Sequence, residues 1–122
     1  TYYHVHKRPH VHEIAYFNIG RGFPKELMDG HWCYVLKDMG YKMLVIPCTS
    51  IKKDSTPANP LFEKDIKIKT DTHITQCRIQ LSDIRSVDIQ RLDLRKSFYE
   101  VLTPKEEIIE FVEKNLFDMS SD

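Results

Sequence analysis

A chain of 122 residues has room for one domain, and 41% apolar with 11% aromatic side chains supply a core that needs no disulfide or metal staple. Eighteen Lys plus Arg balance eighteen Asp plus Glu, which argues against a protein held on nucleic acid by bulk positive charge. The balance is uneven along the chain: residues 1–53 carry eight basic and four acidic side chains, and residues 104–122 carry two basic and six acidic.

Residues 1–10, TYYHVHKRPH, are polar and His-rich and read as an N-terminal extension or edge segment, with the domain proper over 11–122. Ile14 to Ile19 alternates as a short strand with both faces partly covered. Gly20-Arg21-Gly22-Phe23-Pro24 breaks it, and a loop runs to the turn signal Asp29-Gly30. His31–Leu36 is a second strand, Lys37-Asp38-Met39-Gly40 a hairpin turn, and Tyr41–Cys48 a near-continuous apolar strand. Pro47 near its end predicts an edge or a terminus.

Residues 52–61 form a polar loop holding Pro57 and Pro60. Ile66–Lys69 alternates strictly, as does Ile74–Leu81, with Gln76, Arg78 and Gln80 on one side and Cys77, Ile79 and Leu81 on the other. Ser82–Asp88 predicts a short turn or a single helical turn, and Leu92–Val101 one more short strand. Thr103-Pro104-Lys105-Glu106 has the form of a capping box with Pro at the first helical position. Ile108, Phe111, Val112, Asn115, Leu116 and Met119 then recur at helical spacing. Short strands followed by one helix predict a mainly β fold, a small barrel or sheet with a C-terminal helix.

Cys33, Cys48 and Cys77 are odd in number and form no C-x-x-C pair. They predict buried thiols in a reducing cytoplasm rather than a disulfide framework or zinc knuckle. No apolar run approaches the roughly 18 residues of a membrane span, and no signal-peptide pattern opens the sequence. The pairs His4/His6 and His10/His12 could chelate a metal if the chain is extended there. No carboxylate or Cys completes such a site, so a tail with incidental histidines is the plainer reading.

Thr49-Ser50 stands where the apolar strand leaves the core, and its hydroxyls could bond a phosphate, although a strand-ending turn is the simpler account. Lys52 and Lys53 follow and raise the local positive potential. Arg21 sits between two glycines, where backbone can approach a ligand. His31 could act as acid or base near neutral pH, and Trp32 could stack on a base or fill the core.

Several segments in this order resemble the MazF/PemK (Kid-like) toxins of bacterial type II toxin–antitoxin systems: Ile14–Ile19, Glu26, Gly30-His31, Val45–Ser50, Leu81-Ser82-Asp83-Ile84-Arg85-Ser86-Val87-Asp88 with Arg91-Leu92, and Leu102-Thr103-Pro104-Lys105-Glu106-Glu107-Ile108. The similarity spans about residues 12–119. It implies an SH3-like β-barrel with a terminal helix, a homodimer, a cognate antitoxin wrapping it, and cleavage of single-stranded RNA without metal or other cofactor. In that chemistry a ribose 2′-OH attacks the adjacent phosphate. The family's catalytic Thr maps onto Thr49; Ser50, Lys52 and Lys53, which follow it, are RNA-binding candidates by their hydroxyl and charge, together with Trp32. The family's arginine position holds Trp32 in Gly30-His31-Trp32-Cys33, the usual Pro is Cys33, and the Gln of the later segment is Asp83. Three outcomes follow from the missing arginine: Arg21 substitutes for it, His31 takes over as acid or base, or the barrel is catalytically inactive and binds only RNA or a partner protein.

Overall fold

Strands form where β-branched and aromatic residues alternate or run together, and turns form where Asp and Gly interrupt them. A computed structural model describes residues 7–19 and 30–117. Its elements are β1 (Glu13–Asn18), β2 (Gly30–Asp38), β3 (Lys42–Ser50), β4 (Glu63–Lys69), β5 (Ile74–Gln80), β6 (Arg85–Asp88), β7 (Tyr99–Val101) and α1 (Lys105–Leu116). Neighbours run β2-β1-β7-β4-β5-β3, and β3 pairs back to β2, so six antiparallel strands close into a barrel. β6 lies beside the first half of β3, on the edge that β5 occupies further along.

The β2–β3 hairpin turns as its sequence dictates. Gly40 takes φ 88°, which costs a residue without a Cβ little, and its N–H donates to the Asp38 carboxylate at 2.9 Å. Arg8 clamps the same turn, donating to Asp38 at 2.7 Å and to the Gly40 carbonyl at 2.7 Å. With Pro9 fully buried and the Lys7 ammonium over the Phe98 ring, residues 7–10 are docked on the body of the fold.

Alternation sends the side chains of β1 and β2 into two separate cores. Ile14, Tyr34, Ile46, Ile66, Ile68 and Ile79 fill the barrel, where Ile108 and Val112 of α1 join them. Ala15, Phe17, Cys33, Val35, Met43 and Val45 face the other way and are covered by Val87, Ile89 and Leu92. The expectation for β1 therefore holds, with both of its faces covered.

A sheet with a strand as apolar as Tyr41–Cys48 exceeds what one helix can cover, which by itself argues for a homodimer; the same covering removes that argument. The apolar surplus of Tyr41–Cys48 is absorbed within a single chain, since Met43 and Val45 are 0% exposed. Tyr41 and Lys42 at its start stay outside, Tyr41 at 74%.

Other expectations are corrected. Pro47 is neither at an edge nor at an end: it is fully buried inside β3 and opposite Cys33 of β2. Pairing to β6 stops at Val45 and pairing to β5 starts at Cys48, so Pro47 falls in the gap between those two partners. Ser82–Asp88 begins in the expected helical turn, a 3₁₀ turn at Leu81–Asp83, but its second half is the strand β6. Leu92–Val101 yields only the three-residue β7. Upstream of it, Asp88 and Asp93 accept the N–H of Gln90 and Arg95, and such local bonds compete with a strand ladder.

The capping box does not form. Pro104 is the N-cap, and no side chain caps α1. The Thr103 hydroxyl instead accepts the Lys67 N–H at 2.8 Å, tying the helix start to β4. The His10/His12 pair is likewise not extended chain: His12 has φ 73° and its Nδ1 shares a 2.8 Å hydrogen bond with the Tyr34 hydroxyl. His4 and His6 lie outside the described residues.

Candidate functional site: a cavity at the barrel mouth

Residues of all six barrel strands leave the barrel unfilled at one end. A cavity of about 310 Å³ opens there. Its floor is Ile14, Cys48, Ile68 and Cys77, and its aromatic wall is Trp32 and Tyr99. Thr49, Ser50, Thr70, Thr75 and Gln76 supply hydroxyls and an amide around it.

The wall is built by register. Trp32 pairs with Tyr16 across β1–β2, on the face that also carries Tyr34 into the barrel. The half-buried indole stacks on Tyr99 with centroids 4.5 Å apart and planes at 26°. Tyr16 meets it edge-on at 5.1 Å and 79°, both arrangements that aromatic quadrupoles favour. Gly30 permits this, because a Cβ there would run into the Tyr16 ring. Trp32 is thus neither a core residue nor a free surface one.

The floor is uncharged. A hydrogen bond with the Cys77 thiol and then burial push the Cys48 thiol well above its ordinary pKa, so it stays protonated. Burial also pushes Cys33, behind the barrel wall, up to about 12. All three cysteines are free and buried, as the sequence predicts.

Thr49 connects the cavity to a polar cluster on the adjoining strands. Its Oγ1 accepts from Gln80 Nε2 at 3.4 Å, and the same amide donates to Glu63 at 3.0 Å. Directly opposite Thr49 in the β3–β5 ladder is Arg78, and directly opposite Arg78 in β4 is Asp65. Arg78 donates from Nε to one Asp65 oxygen at 2.7 Å and from Nη2 to the other at 3.3 Å. The guanidinium belongs to a residue only 8% exposed, and the Asp65 carboxylate holds it in the charged form.

Of the residues singled out in the sequence, Trp32, Thr49 and Ser50 come together in this one cavity. Lys52 and Lys53 are exposed on the turn that follows Ile51, itself a lining residue; Ser55 closes that turn by accepting the Lys52 N–H at 2.9 Å. His31 is half-buried opposite Phe17 and is not among the lining residues. Arg21 and Glu26 lie outside the described residues.

Sequence reasoning missed Tyr99, Arg78 and Gln80. The alternation of β5 placed Arg78 and Gln80 on one polar face, but nothing in the sequence named Thr49 as their neighbour.

Among the described residues, no group of three or more His, Cys, Asp or Glu gathers as metal ligands, and no helix is long and apolar enough to cross a membrane. Compared with models of protein families and with curated proteins, the chain matches none.

Proposed function

We propose that this chain is a MazF/PemK-like, SH3-like barrel that cleaves single-stranded RNA by 2′-OH attack, with an altered active site. The observation that carries the reading is the cavity that joins Trp32 to Thr49 and Ser50. An apolar floor and an aromatic wall suit an unpaired base, which stacks on aromatic rings with little regard to sequence. The hydroxyls at the mouth suit the sugar and phosphate that follow it. The homodimer and the wrapping antitoxin belong to the same reading and rest on the motif resemblance.

The test is incubation of the purified protein with a long single-stranded RNA and no added metal. Discrete fragments ending in a 2′,3′-cyclic phosphate, lost in Thr49→Ala, support the enzyme. A second reading has its own observation: among the residues lining the cavity none is a cation, as fits a barrel that binds RNA or a partner without cutting. RNA binding with no fragments would establish that reading instead.

A further inference from the structure

We propose that Arg78 is the catalytic cation of this site, meeting the scissile phosphate from β5 in place of the arginine that position 32 lacks. The inference rests on the RNA-cleaving reading and adds a residue to it. Three observations carry it. Arg78 is the cross-strand partner of Thr49, and paired residues on one face of an antiparallel sheet hold their Cβ atoms about 5 Å apart. The second is its neighbour Gln76, which shares Arg78's side of β5 and lines the cavity, so the polar face that bears Arg78 continues to the rim although Arg78 itself is not a lining residue.

The third is its hydrogen bonding. Asp65 engages Nε and Nη2, while Nη1 has no partner among the described residues. A guanidinium offers five N–H donors in a planar fork. Asp65 therefore fixes the group's orientation and leaves one edge to face an anion.

The step balances without the arginine giving up a proton. The 2′-oxygen forms a bond to phosphorus, the bond from phosphorus to the 5′-oxygen breaks, and the products are a 2′,3′-cyclic phosphate and a 5′-hydroxyl. Water takes the 2′ proton and another water protonates the leaving oxygen. Arg78 stays charged and donates to the non-bridging oxygens as charge builds on them.

The experiment compares wild type, Arg78→Ala, Arg78→Lys and Thr49→Ala. It measures single-turnover cleavage of an RNA and, separately, affinity for the same RNA with a 2′-deoxy nucleotide at the cut. Loss of one donor to a transition-state oxyanion lowers rates about 10²- to 10³-fold. Arg78→Ala is expected to fall in that range while its affinity for the uncleavable RNA changes less than about tenfold. Millimolar guanidinium is expected to restore part of the Arg78→Ala rate and none of the Thr49→Ala rate. If the alanine variant fails to fold, the lysine variant carries the test, with a rate at least about tenfold down at unchanged affinity, since a point charge does not replace the fork. Wild-type rates in a folded Arg78 variant, or parallel losses of rate and affinity, overturn the assignment and leave the nuclease standing. Failure of the wild type to cleave overturns both.

Discussion

Trp32 and Tyr99 are 67 residues apart in sequence and stack at 4.5 Å across the barrel mouth, which makes the tryptophan a built-in reporter of the cavity. It is the only tryptophan in the chain, so intrinsic emission comes from the wall itself. Titration with short single-stranded RNA is expected to quench or shift that emission. Tyr99→Ala is expected to weaken RNA binding by the 1–3 kcal/mol typical of one base–aromatic contact. An emission spectrum indifferent to saturating RNA would place the bases elsewhere.

Gly30 sets the same wall from below. Since a Cβ would meet the far end of the Tyr16 side chain rather than backbone, Gly30→Ala is expected to push that ring off the indole and leave the protein folded. The checks are the Trp32 emission maximum, which should move, and thermal melting, which should show a cooperative transition close to that of wild type.

Most strand positions along the chain trace back to legible patterns. Alternation in β5 separates Cys77, Ile79 and Leu81 from Gln76, Arg78 and Gln80, and the structure follows that division. The run Met43–Cys48 is apolar because both of its faces are covered, although the sequence does not say by what. What alternation cannot supply is register across the sheet. Thr49 opposite Arg78 depends on the pairing of β3 with β5, and Trp32 over Tyr99 on the closing of β7 onto β1 and β4, contacts between distant segments. The Thr103–Glu106 spacing misled for a related reason. A capping box is a local motif, and the Lys67 N–H of β4 competes for the same hydroxyl and wins.

That competition is testable in the helix start. Thr103→Ala removes the acceptor of the Lys67 N–H and is expected to lower stability by about 1 kcal/mol. Glu106→Ala, which caps nothing, is expected to change it by only a few tenths, the usual scale for a surface position. Equal losses in the two variants, with strong coupling in the double mutant, would restore the capping box. Urea melts at constant m-value provide the measurement.

His12 gives the fold a pH dependence. Burial lowers its pKa below the ordinary 6.5, with Lys105 adding to the effect and the Thr103 and Val101 carbonyls and Glu106 opposing it. A histidine kept neutral by folding contributes stability that is present above pH 6.5 and is lost as the pH falls below it toward the lowered folded value. His12→Asn accepts the positive φ and carries no titrating group. The variant is expected to be less stable at neutral pH, because the Tyr34 hydroxyl loses its partner, but to show a flatter decline as the pH falls below about 6.5. An unaltered slope would assign the acid sensitivity to other groups.

Position 32 offers the sharpest prediction. Trp32 lines the cavity with Thr49, and an indole has one neutral N–H where a guanidinium has a charged fork. An arginine can also stack on Tyr99 in the indole's place, so Trp32→Arg is expected to fold. Gaining one charge-assisted contact of about 1.5–3 kcal/mol in the transition state would raise cleavage by roughly tenfold or more. The gain should vanish when Thr49→Ala is added. It should persist in Arg78→Ala, where the new arginine supplies the charge that β5 has lost, so the double variant should cut faster than Arg78→Ala alone. A drop in cleavage on Trp32→Arg, with the fold intact by its melting curve, would show that the indole holds a base and that no second cation is wanted at the wall. Unfolding of the variant would show that the Trp32–Tyr99 stack is needed chiefly to close the barrel.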